Sequence, residues 1–164
     1  MKRQQAKLRL MAQSAMIAAL YVALTFLANA AGLASGAIQL RLSEALCVLP
    51  VFTSAAVPGL FLGCVLANLL TGAAIWDVVA GSVATLLGAL GTMLLRKHRI
   101  LSLLPPIVAN VLIVPFVLAW VYMAEGTIPF FMLTVGIGEV LCCGVLGWYL
   151  RFVLEKYGKG IHWA

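Results

Sequence analysis

Charge is what this sequence has least of. Only 10% of its 164 residues are charged and 64% are apolar, whereas a soluble domain carries roughly a quarter charged residues. That scarcity excludes a soluble globular domain and makes the chain a membrane-embedded one. Acids are scarcer still, five Asp and Glu against eleven Lys and Arg, for a formal charge of +6. No GxxxxGK[ST] loop occurs, so the chain has no nucleotide-hydrolysing site of its own. No HExxH motif and no Ser–His–Asp candidate occurs either, so an enzyme has no support and no cofactor is implied. The two histidines, His98 and His162, lie in a basic turn and in the tail and make no ligand set. Cys47, Cys64, Cys142 and Cys143 all fall in apolar segments, without a CxxC or other metal-ligand spacing, and read as small packing residues rather than a metal site. There is no linker, low-complexity segment or visible internal repeat, and the lack of inverted repeats disfavours a self-sufficient secondary transporter.

The basic residues that are present fall in clusters beside apolar runs. These are Lys2, Arg3, Lys7 and Arg9; then Arg96, Lys97 and Arg99; then Arg151, Lys156 and Lys159. Arg41 stands alone. Such clustering fits the positive-inside rule better than nucleic-acid binding. The apolar runs predict an all-α integral membrane protein of one domain, residues 1–164. Its expected spans are about 11–29, 44–57, 59–72, 75–95, 101–123 and 129–150. Parity decides the count. The N-terminal cluster and Arg96–Arg99 both belong on the cytoplasmic side, so an even number of crossings separates them. The tract from Glu44 to Gly72 therefore supplies two, with Pro50 and Val57-Pro58-Gly59 offering the break. Six transmembrane helices with both termini cytoplasmic follow. The first run is too long for a signal-peptide core and reads as a retained span.

This topology gathers the polar residues. Glu44 opens span two and Asp77 opens span four, both at the outer end, and Glu125 lies in the last outer turn. Glu139 lies ~15 Å into span six. Asn68 is in the outer half of span three, and Gln39 and Arg41 are in the first outer loop. Only Glu155, of the acids, is cytoplasmic. An ionised side chain at the centre of a span costs at least ~2.5 kcal/mol, so these groups face a cavity or each other. An outward-facing polar pocket for a small-molecule substrate is the functional reading. The plainer alternatives are first-turn acids at Glu44 and Asp77, an interfacial anchor at Arg41, an interhelical hydrogen bond at Asn68 and internal pairing of Glu139. Small residues form a second pattern: Ala12, Ala15, Ala19 and Ala23 run down span one, and Gly59 with Gly63 repeats the spacing. Such stripes let another backbone approach, either within the bundle or in a partner.

The stretches GAIQLRLSEALCVLPVF (36–52), VPGLFLGCVLANLL (57–70) and DVVAGSVATLLGAL (77–90) carry a resemblance over almost the whole chain. The Gln-x-Arg-x-x-Glu element, the Pro-Gly break, the Asn of span three and the Asp-x-x-x-Gly-Ser run resemble the QueT family. These are substrate-binding (S) components of energy-coupling factor (ECF) transporters, assigned to queuosine precursors. The resemblance implies a six-helix S-component fold in the cell membrane, with ligand bound near the outer face. It also implies a membrane T component and two cytoplasmic ATPases as partners, with Ala12, Ala15, Ala19 and Ala23 as the docking face. A 7-deazaguanine base suits the expected pocket of Gln39, Arg41, Glu44, Asn68, Trp76, Asp77 and Glu139. Carboxylates at Glu44 or Glu139 accept from its guanine-like edge, Arg41 or Gln39 donates to its carbonyl, and Trp76, Tyr122 or Phe130 stacks on the ring. The alternatives are an S component for another vitamin or nucleobase-like ligand, and a structural subunit of a membrane complex whose polar cluster only packs.

Overall fold

A computed structural model describes residues 2–34 and 38–158. The Gly36-Ala37 start of the polar motif, Lys159, His162 and the side chain of Lys2 lie outside the described residues. The described chain is helical, without strands. Helix α1 covers Lys2–Ala30. A 3-10 helix follows at Leu42–Val51, then α2 at Ala56–Leu70 and α3 at Ile75–Leu94. A single 3-10 turn, Leu101–Leu103, leads into α4, Leu104–Trp120. Then α5, Ile128–Glu139, passes through a π-helical stretch, Val140–Leu146, into α6, Gly147–Tyr157, making one continuous rod.

Four of these rods are long and apolar enough to cross a membrane: Arg3–Ala30, Ile75–Leu94, Leu101–Trp120 and Ile128–Tyr157. The two pieces between α1 and α3 are shorter. Ten residues of 3-10 helix rise about 20 Å, and the fifteen of α2 about 22 Å, against the ~30 Å of a hydrocarbon core. The break between them also differs from the expected one. It falls after the 3-10 helix, at residues 52–55, and Val57-Pro58-Gly59 lies inside the first turn of α2. Pro58 is tolerated there because a first-turn N–H has no intrahelical partner in any case. Pro50 lies near the end of the 3-10 helix. In an α-helix it would remove the bond to Leu46 and clash with that carbonyl.

Close backbone approaches hold the bundle. A Cβ on Gly59 would sit 2.8 Å from the Ser14 carbonyl, and one on Gly63 2.7 Å from Tyr21 Cβ, so α1 and α2 touch where only glycine fits. A Cβ on Gly88 would meet Pro106 Cα at 2.6 Å, which seals α3 against α4. The 3-10 helix runs inside this ring, with every residue from Ser43 to Pro50 buried. Ile17, Tyr21, Leu46, Leu49 and Leu60 form the core around it. The far end of the 3-10 helix is tied to the first half of α1: Ser14 Oγ donates to Ala55 O (2.8 Å) and Thr53 Oγ1 to Gln13 Oε1 (3.1 Å). Leu20, Leu66, Leu87, Leu112 and Leu133 point outward, as lipid-facing residues do. At the basic end, buried Arg151 donates to Ser102 Oγ (2.8 Å) and to the Arg99 carbonyl (3.2 Å), joining the second and third basic clusters.

Candidate functional site

At the end where α1, α2 and α4 finish and α3 begins, the bundle opens into a cavity of about 510 Å³. That is within the ordinary range for small-molecule sites. Three local devices shape it. The loop entering the 3-10 helix is pressed onto α5 at Gly138, where a Cβ would overlap the Gln39 carbonyl; this seats Gln39 and Arg41 in the wall. Helix α2 ends in a Schellman turn: Gly72 adopts φ +76°, Gly72 N–H bonds Leu69 O and Ala73 N–H bonds Asn68 O. That turn reverses the chain so that Asn68, Thr71 and Asp77 face one space. The third device is the tie between α4's end and α3's start. Tyr122 OH donates to Asp77 Oδ2 (2.9 Å) and accepts from the Ala74 N–H (3.2 Å). Desolvation first, and the Asp77 carboxylate beside it, raise the Tyr122 phenol above its usual pKa, so it stays a donor.

The polar groups converge. A Cβ on Gly81 would sit 3.2 Å from Asn68 Nδ2, 3.7 Å from Asp77 Oδ1 and 3.9 Å from an Arg41 guanidinium nitrogen. Among the described residues the ion pairs are Arg99–Glu155 and Arg151–Glu155, at the opposite end of the molecule. Arg41 and Asp77 thus share the cavity without a contact ion pair, the carboxylate favouring the guanidinium charge from a distance, and among the described residues the acceptor shown for Asn68 Nδ2 is the Cys64 sulfur at 3.5 Å. The wall offers donors and acceptors of both signs to a bound molecule.

Of the expected pocket residues, Gln39, Arg41, Asn68 and Asp77 line this cavity. Glu44 lies one layer beneath it, 1% exposed, where its carboxylate accepts from the Tyr21 phenol and from Cys47 Sγ (3.0 Å). Glu139 is also in that lower layer, 6% exposed, and accepts from Cys143 Sγ at 3.2 Å. Trp76 points the other way: it is 67% exposed and borders an apolar groove with Leu112, Phe116 and Trp120 on the outside of the bundle. Successive residues at the start of a helix are ~100° apart, so Trp76 and Asp77 cannot share a face. Of the aromatic candidates for stacking, Tyr122 is in the wall, while Phe130 packs edge-on against Phe131, ring centres 5.9 Å apart. Tyr21, Thr25 and Asn29 also line the cavity and went unnoticed in the sequence. Their spacing of four residues in an apolar span was the available signal.

Ala12, Ala15, Ala19 and Ala23 are all exposed on α1, while Ser14, Ile17, Ala18 and Tyr21 carry the contact with α2. The stripe has no partner within the described chain.

A family model described as the QueT transporter matches residues 11–156, most of the chain. The chain belongs to the QueT transporter family. No curated protein and no solved structure matches it. Family membership and four long apolar helices make this QueT chain a multi-pass membrane protein of a transporter family rather than of an enzyme family.

Proposed function

We propose that this chain is the substrate-capture S component of an ATP-driven ECF importer in the cell membrane, and that its ligand is a queuosine precursor of the 7-deazaguanine type. The observation that carries this reading is the open cavity in which Arg41, Asp77 and Asn68 meet without an ion pair. A 7-deazaguanine presents a carbonyl, adjacent N–H donors and a flat face. Arg41 or Gln39 donates to the carbonyl, Asp77 accepts from the N–H edge or pairs with an aminomethyl cation, and Tyr122 stacks. Glu44 and Glu139 belong to the layer below and support the floor. Trp76 has no contact role in this arrangement.

The reading includes the chain path. The 3-10 helix and α2 descend and return between the cavity end and the basic end, giving six passes with both termini in the cytoplasm. The 3-10 helix is enclosed by its neighbours, which supports tolerating its short length, while α2 is flanked by α1 and α3 and keeps an outward face of Leu62, Leu66 and Leu69. ATP hydrolysis then comes from two cytoplasmic ATPases through a T component, which docks on the stripe of Ala12, Ala15, Ala19 and Ala23. The decisive experiment is calorimetry of the purified chain, without partners, against 7-deazaguanine precursors, thiamine, riboflavin and biotin. Nanomolar binding of one precursor alone is expected. Binding of a vitamin instead transfers the assignment to that ligand, and folded protein that binds none of them overturns the substrate.

A further inference from the structure

Beneath the cavity, two helices of unusual winding bring four metal-binding side chains together. In a 3-10 helix residues three apart stand one above the other. Glu44 and Cys47 do so, and Cys47 Sγ lies 3.0 Å from Glu44 Oε2. On the facing rod, Glu139 ends α5 and Cys143 lies in the π-helical stretch four residues later, with its Sγ 3.2 Å from Glu139 Oε2. Cys143 Sγ also reaches the Glu44 carbonyl at 3.3 Å. The ligand atoms of Glu44, Cys47 and Cys143 all lie within 4.8 Å of one another. All four residues are buried.

We propose that Glu44, Cys47 and Cys143 form a buried site for one divalent cation of the zinc class, with Glu139, which contacts Cys143 but lies outside that close group, moving in as the fourth ligand. Two sulfurs and two carboxylate oxygens are a tetrahedral zinc donor set. With metal–sulfur and metal–oxygen distances of about 2.3 and 2.0 Å, a tetrahedron has sulfur–oxygen edges of roughly 3.5 Å. The two sulfur–oxygen pairs, at 3.0 and 3.2 Å, need to open only slightly, and Glu139 must close on the Glu44 and Cys47 ligand atoms. Charge supports it as well. The cation replaces two thiol protons: two S–H bonds break, two metal–sulfur bonds form and two protons leave to water. With Glu139 ionised the two lost protons offset the cation and the ion adds no net charge to a region where charge is costly; a carboxyl proton held by Glu139 leaves as a third.

The surroundings fit a metal's outer partners. The Tyr21 phenol already donates to the second oxygen of Glu44, and Tyr21 is also the wall between this cluster and the cavity above. The Asn110 side-chain amide is buried beside Glu139. Donors of this kind orient ligating carboxylates. A π-helical turn costs regular hydrogen bonding and concentrates at functional positions; here it carries Cys143. The site goes beyond the transport reading and does not depend on its ligand.

The test uses tag-free chain in detergent, chelator-treated, kept reduced with a phosphine and titrated with cobalt(II) alone. One cobalt per chain is expected, with tetrahedral visible bands, a thiolate charge-transfer band and release of two protons, or three where Glu139 held one. Zinc should displace the colour. Cys47→Ser or Cys143→Ser should weaken the charge-transfer band and loss of both should abolish it, Cys64→Ser and Cys142→Ser should leave it, and Tyr21→Phe should weaken the affinity by roughly tenfold to a hundredfold. A folded chain with no charge-transfer band, or a band that survives loss of both Cys47 and Cys143, overturns the proposal. If those variants do not fold, the unaltered chain decides: one cobalt per chain with a thiolate charge-transfer band carries the site, and a folded chain that takes up no cobalt overturns it.

Discussion

The two faces of α1 have opposite fates. One face, through Ser14, Ile17, Ala18 and Tyr21, is closed against the glycines of α2 and continues through Thr25 into the cavity. The other, through Ala12, Ala15, Ala19 and Ala23, is bare. What separates them is the facing element. Gly59 and Gly63 remove side chains from α2 at the spacing that lets the backbones touch, and Tyr21 adds a phenol that reaches the buried carboxylate of Glu44. A small-residue stripe signals that close approach is possible; the matching glycines decide where it happens within the chain.

Substitutions on the two faces can break that contrast. Gly63→Leu attacks the closed face where a Cβ already lies 2.7 Å from Tyr21 Cβ. Overpacking of this kind costs about 3 kcal/mol, so thermal unfolding in detergent should show a large loss or no folded protein; tolerance would mean the helices are not in contact there. Tyr21→Phe is next. It strips one donor from the buried Glu44 carboxylate and should cost about 1–3 kcal/mol in the same unfolding measurement, and a neutral result would show that water or another donor serves that oxygen.

Adjacent residues at the start of α3 extend the comparison to the cavity. Asp77→Asn should weaken ligand binding at least tenfold, about 1.4 kcal/mol by calorimetry. Trp76→Ala, one residue earlier and facing outward, should change it by less than twofold, about 0.4 kcal/mol. Equal effects would place both residues on one face. On the bare face, Ala15→Leu with Ala19→Leu should change the isolated chain least, within about 0.5 kcal/mol. The same double variant should lose co-purification with the T component. If assembly survives, the stripe is simply lipid-facing.

Much of this was legible in the sequence. Scarce charge and long apolar runs give a helical membrane chain, and the cluster Gln39–Arg41–Glu44 with Asn68 and Asp77 marks one end of it. Less legible was depth. Glu44 and Asp77 both begin apolar segments, yet Glu44 is drawn beneath the cavity because it lies on a 3-10 helix buried from Ser43 to Pro50. The break after that helix was misplaced at Val57-Pro58-Gly59, since proline is acceptable in a helix's first turn as well as in a turn. All four cysteines are free and buried, as packing residues are, and their spacing to one another carries no pattern. Their spacing to acids does: Glu44 to Cys47 is three residues and Glu139 to Cys143 is four.

By itself the sequence determined the solvent of this protein and the inventory of its polar groups, because transfer of apolar and charged side chains is a property of each residue and adds along the chain. Only the tertiary structure decided which of those groups meet. Asn68, Asp77 and Arg41 converge around Gly81 from three separate segments, while Glu44 and Glu139 turn to the cysteines below. Helix winding, which switches here between 3-10, α and π, sets where each side chain points, and that is fixed by packing against neighbours rather than by any residue alone.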